Sequence, residues 1–279
     1  MDYKRIWIYA VPLLGTIAVL FGVIWAVSTF SPSRSSGPVS LMLLCDESIR
    51  NPVEAPDIEH ESGAIGRFQR RAGVRVNANY STSEELLEML ILNREGDLLL
   101  VNDDSYIEVA REAGLIYETR PVARHVPVIL VRQGNPHNID TISDLSDHEI
   151  RLAITDPQAS LLGRVTSDIF NKNGVSFHDL DNIQLIGNTV SEVAMAVNMD
   201  RADAAIVWHP MARQYSHRTD IVKISAENNV ISQLVIAVLN TSENKELALR
   251  FADFISSPAS QEIFDMYGFD ISESITLSE

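Results

Sequence analysis

A chain of 279 residues, 46% apolar and 22% charged, has material for one large or two medium globular units. Its formal net charge of −16 lacks the basic footprint that nucleic-acid binding requires. The single cysteine, Cys45, excludes an intrachain disulfide and a cysteine-rich zinc site; in its apolar run it reads as a small buried hydrophobe.

Lys4 and Arg5 precede an uncharged apolar run from Ile6 to Val27. As a helix rising ~1.5 Å per residue, that run matches the roughly 30 Å hydrocarbon core, and the positive flank places the short tail inside and the remainder outside. Residues 1–30 are therefore expected to be a membrane anchor or, since Ala26-Val27-Ser28 resembles a cleavage site, a signal segment. Residues 31–38, rich in Ser and Pro, read as a flexible tether.

The next elements alternate. Val39 to Cys45 suits a buried strand, and Cys45-Asp46-Glu47-Ser48 its exit loop. A helical segment is expected from Asn51-Pro52-Val53 to about Phe68, a strand over Gly73 to Tyr80, and a helix after Ser81-Thr82-Ser83-Glu84-Glu85. Ser81 and Glu84 have capping-box spacing, which accounts for both without any ligand. Gly96 to Val101 is a third buried strand, and a helix from Tyr106 stops at Gly114. Strands alternating with helices imply a parallel sheet covered on both faces.

His125 to Val131 is a long apolar strand whose Pro127 suits an edge or crossover position. A second alternation follows: strand at Ile150 to Ile154, turn at Asp156-Pro157, helix from Gly163 to Asn173, strand over Asn182 to Ile186, helix from Val190 to Met199, and strand Ala204 to Val207 running into Trp208 and a stop at Pro210. Ile231 to Leu239 is a second long strand, and helices over Lys245 to Ser256 and Gln261 to Tyr267 close the chain. The expected architecture is α/β, two βα lobes joined by two crossover strands, a bilobed clamshell with its ligand in the cleft. Lobe 1 is expected to span 39–123 plus 233–279, and lobe 2 to span 124–232.

Five stretches carry a family resemblance: Tyr80 to Leu87; Gly96 to Leu100; His125 to Ile129 with Gly134-Asn135-Pro136; Asp156-Pro157-Gln158 through Gly163-Arg164; and Ala202 to Trp208. The ending Phe251 to Ser257, Pro258, Gln261 to Phe264 and Tyr267-Gly268-Phe269 matches as well. Over residues 39–270 the chain resembles the molybdate- and tungstate-type substrate-binding proteins of ABC transporters, which share the type II periplasmic binding-protein fold. The resemblance implies an extracytoplasmic monomer that holds a tetrahedral oxyanion without metal or cofactor, performs no catalysis, and passes its ligand to a permease. It places Ser48 and Ser83 where serine hydroxyls hold the anion, Leu162 and Val190 where backbone N–H groups do, and Trp208 where the family carries a tyrosine. Orphan donors and the dipole at helix starts supply the physics.

Two departures leave a second possibility open. The first loop carries Asp46 and Glu47, and the second adds Glu84 and Glu85, whose charges repel an anion. Asp46, Glu47, Glu84 and His209 could instead converge on a divalent cation. Ser48 also reads as an ordinary helix-start residue, Trp208 as core, and His209 as a hydrogen-bonded surface histidine. No nucleophile elbow, phosphate-cradling loop or metalloprotease helix is present.

Overall fold

The computed structural model describes residues 40–54 and 63–272. The expected anchor over residues 1–30 and tether over 31–38 lie outside the described residues; among those described, no helix is long and apolar enough to cross a membrane.

Among the described residues, ten strands form two five-stranded sheets. The first has the order β2-β1-β3-β10-β4, with β1 Ser40–Asp46, β2 Arg75–Ser81, β3 Leu98–Val101, β4 Ile116–His125 and β10 Ser232–Leu239. The second has the order β7-β6-β8-β5-β9, with β5 Pro127–Arg132, β6 Leu152–Thr155, β7 Ile183–Gly187, β8 Ala204–Trp208 and β9 Thr219–Lys223. The helices are α1 Arg50–Glu54, α2 Ala64–Ala72, α3 Ser83–Asn93, α4 Ser105–Glu112, α5 Leu161–Lys172, α6 Val190–Asn198, α7 His209–Gln214, α8 Lys245–Ile255 and α9 Pro258–Met266. The chain leaves the first sheet at Val126 and returns between β9 and β10. This gives the two lobes that the alternation implies, while the two long strands expected to cross between them, β5 and β10, each pair within one sheet.

Each sheet buries apolar side chains on both faces, which is why β1, β3 and β8 read as continuous apolar runs. On the first sheet, Leu41, Leu43, Leu98 and Ile236 pack with Phe68, Phe251 and Phe264 of α2, α8 and α9. On its other face Leu44, Leu99, Val101 and Ala237 meet Leu86, Leu90 and Ile107 of α3 and α4. The second sheet likewise buries Ile129, Ile154 and Ile206 with Ile169 and Phe170 of α5, and Val128, Ala205 and Val207 with Val193 and Val197 of α6. Full burial of a side chain such as Phe170 or Leu99 is worth about 1.5–3 kcal/mol.

Several local expectations are corrected. Both sheets are mixed, because β10 runs antiparallel to β3 and β4, and β5 antiparallel to β8 and β9. The helical segment expected through Phe68 is two helices, α1 ending at Glu54 and α2 beginning at Ala64. Thr82, not Ser81, caps α3, its hydroxyl accepting from Glu85 N–H at 3.2 Å. Pro210 does not stop the chain after Trp208 but sits in the first turn of α7, where its missing N–H costs nothing.

Candidate ligand-binding site

In both sheets, strands run into helix starts: β1 into the turn before α1, β2 into α3, β6 toward α5 and β7 toward α6. In the first lobe, β1 ends at Asp46, whose side chain accepts from the turn Glu47–Ile49, and α3 begins at Ser83. These positions lie far apart in sequence but β1 and β2 pair in parallel with Asp46 opposite Ser81. The register therefore carries the start of α3 to the end of β1.

The result is a cradle of four donors around one carboxylate. Oδ1 of Asp46 accepts from Ser48 N–H at 2.9 Å and from the Ser48 hydroxyl at 2.5 Å. Oδ2 accepts from Ser83 N–H at 2.9 Å and from the Ser83 hydroxyl at 2.6 Å. The Ser83 hydroxyl accepts in turn from Asn102 N–H at 3.3 Å, which ties the end of β3 to the same point. Asp46 is only 4% exposed. Burial pushes its carboxyl up from the usual range, while the hydrogen bonds from Ser48 and Ser83 oppose that shift.

In the second lobe, α5 starts at Leu161 after the cap Ser160, whose hydroxyl accepts from Gly163 N–H at 3.0 Å. The donors of Leu161 and Leu162 belong to the unladdered first turn. Gly163 is required here, since a Cβ would stand 2.3 Å from the Asp156 carbonyl oxygen. Thr189 caps α6 in a reciprocal box with Glu192, leaving Val190 at the first helical position. Thus Leu162 and Val190 both sit in first turns, Leu162 with its side chain buried in the second lobe's core.

A polar bridge links α5 to the first lobe. Arg164 of α5 reaches Glu84 of α3 at 3.1 Å and donates to the Tyr106 hydroxyl of α4 at 2.9 Å. Burial above all pushes the Tyr106 phenol up to about 12, so it stays a neutral partner near neutral pH. Neither Arg164 nor Tyr106 is among the ligand contacts that the sequence singles out. A signal existed: a guanidinium in the first turn of a helix opposes the dipole, and α5 has no acidic residue there to offset it.

Trp208 ends β8 and is 5% exposed. Its ring stacks on His125 of β4, centroids 4.0 Å apart and planes 15° apart, with Phe269 against the other ring at 5.0 Å. Trp208 is thus packed at the crossover between lobes and is not among the partners of Asp46. Burial pushes the His125 imidazole down to about 3, so it is neutral, and its Nδ1 has no hydrogen-bond partner among the described residues. His209 bonds the Gly268 carbonyl through Nδ1 at 2.8 Å, and its N–H donates to the Val126 carbonyl at 2.9 Å.

The four residues of the cation possibility go separate ways. Asp46 is filled by serines, Glu47 faces Arg50 at 4.0 Å, Glu84 pairs with Arg164, and His209 lies at the crossover. Among the described residues, no three His, Cys, Asp or Glu side chains converge as a metal site.

Residues 62–270 match the family model for bacterial extracellular solute-binding proteins. The chain belongs to that family. Membership places it outside the cytoplasm and makes it a binding protein of the transport type. A Haemophilus influenzae protein whose name marks it as a candidate binding protein is 24% identical over 243 residues, 87% of this chain and 94% of that relative. Among solved structures, the substrate-binding domain of a candidate molybdenum ABC transporter from Clostridium difficile aligns with TM-score 0.71 at 16% identity, covering 84% of this chain and all of that one. The sulfate-binding protein SubI of Mycobacterium tuberculosis aligns at 0.65 and 18% identity over 84% and 88%. A ferric binding protein of Campylobacter jejuni aligns at 0.64 and 18% over 86% and 89%. These likenesses fix the type II periplasmic binding-protein fold, and they span neighbours with different ligands.

Proposed function

We propose that this family member captures a small oxyanion between its lobes, with molybdate or tungstate the leading candidates, and delivers it to an ABC permease. The observation that carries this reading is the cradle. Two hydroxyls and two backbone N–H groups converge on a single pair of carboxylate oxygens, and such a set recognises an oxyanion by charge-assisted hydrogen bonding without a metal. The sulfate- and molybdenum-named neighbours are consistent with that ligand class. The first turns of α5 and α6, including the Leu162 and Val190 donors, supply the opposing half as the lobes meet. Trp208 contributes through the packing of the crossover in this reading.

Closure excludes water, which strengthens each donor bond. The apolar run over residues 6–27 serves as the anchor that keeps the protein at the membrane. No chemical step is required of the site.

Calorimetric titration of the full-length chain in mild detergent with molybdate, tungstate, sulfate and divalent cations tests the reading. Saturable binding of an oxyanion, with a matching rise in melting temperature, is expected by mass action. Binding of cations alone would sink it.

A further inference from the structure

The Asp46 carboxylate occupies the donors that an anionic ligand needs. Building on the oxyanion reading above, we propose that Asp46 is a built-in occupant of the cradle, which the incoming oxyanion must displace, so that this residue sets the affinity threshold of the site.

The hydrogen count makes the point. Each of the four donors carries one hydrogen, and all four stand within hydrogen-bond reach of Asp46, the Ser83 hydroxyl lying nearer to it, at 2.6 Å, than to Asn102 Oδ1 at 3.1 Å. Nothing is left for a second anion while that side chain stays in place, and a dianion beside a retained carboxylate is repelled.

A comparison within the same molecule separates an occupant from a brace. Asp203 is as deeply buried, but it is held by two guanidinium groups: Arg151 at 2.9 Å and 3.0 Å, and Arg132 at 2.9 Å. No salt bridge reaches Asp46 among the described residues. Its carboxylate is retained only by hydroxyl and amide donors, the groups that would equally hold the ligand. Exchange of one anion for another therefore conserves the hydrogen bonds, whereas loss of Asp203 from its arginines would not.

An apparent dissociation constant is the intrinsic one divided by the fraction of molecules whose cradle is vacated. Truncating Asp46 removes that penalty. In full-length protein in mild detergent, Asp46→Ala is expected to bind molybdate, tungstate or sulfate at least about ten-fold more tightly than wild type, with Asp46→Asn in between. Ser83→Ala should cost more affinity in the Asp46→Ala background than in wild type, because in wild type it weakens occupant and ligand together. Circular dichroism establishes that the variants fold; if Asp46→Ala does not, Asp46→Asn decides. Folded variants that bind equally or less tightly than wild type would make Asp46 a brace and overturn the inference while leaving the oxyanion reading intact. If no oxyanion binds wild type or any variant, the oxyanion reading fails and the inference with it.

Discussion

Replacing Arg164 with alanine should weaken the contact between the lobes by a calculable amount. Its guanidinium is the bridging group, with one arm on Glu84 at 3.1 Å and another on the Tyr106 hydroxyl at 2.9 Å. The Arg164 and Glu84 side chains are 40% and 53% exposed, so solvent screens the pair and its share is about 0.2–1 kcal/mol. A hydrogen bond from a charged donor adds roughly 1 kcal/mol once discounted for the same exposure. The sum of about 1–2 kcal/mol corresponds to a shift of roughly 5- to 30-fold in the closed-to-open ratio. A fluorophore pair, one on each lobe, reads that ratio directly by energy transfer in ligand-free protein. Ligand affinity should fall by at most that factor, through the smaller fraction of closed molecules. Tyr106→Phe should give about half the effect. If Arg164→Ala changes neither the distance distribution nor the affinity, the bridge is surface decoration and the closure argument is refuted.

Two further predictions concern stability and pH. Asp203→Asn leaves Arg151 and Arg132 without their carboxylate, and a loss of about 2–3 kcal/mol is expected from denaturant midpoints at constant slope. The arginines hold the Asp203 carboxyl down to about 2 despite its burial, so its contribution is complete above the usual aspartate range and disappears as pH falls toward 2. The acid limb of the stability curve should therefore shift in Asp203→Asn and not in a surface control. His125 behaves in the complementary way: neutral in the folded protein down to about 3, it takes up a proton near 6.5 once unfolded. Stability should decline as pH falls below about 6.5, by at most about 1.4 kcal/mol per pH unit from this residue. His125→Phe, which keeps a ring against Trp208, should remove that slope; an unchanged slope would refute the assignment.

The strands most visible in the sequence are those buried on both faces, such as Leu98–Val101 and Ala204–Trp208, where apolar residues run without interruption. Strand β4 was not legible. It is an edge strand of half-exposed polar residues containing Pro121, tolerated because the ladder against β10 is irregular there. Strand β9, at the other sheet's edge, was hidden for the same reason. Capping was displaced by one residue at Thr82 because Ser81, Thr82 and Ser83 are all competent caps and only the backbone selects among them. In the cleft, the resemblance singles out Ser48 and Ser83, but nothing in their spacing reveals that Asp46 stands between them. That fact depends on the parallel register of β1 and β2. Arg164 was equally opaque, since its partners Glu84 and Tyr106 belong to the other lobe.

The position of β10 has a consequence for how the protein is made. Strand β3 pairs with β10 rather than with β4, so the first sheet stays open at that edge until residues near the end of the chain arrive. An open apolar edge is a template for wrong pairing. The second sheet, built entirely from intervening sequence, can form beforehand and bring the ends of β4 and β10 side by side, which shortens the effective loop that closes the first. The first sheet therefore cannot be completed before the segment that contains β10, whereas the second needs only residues that precede it.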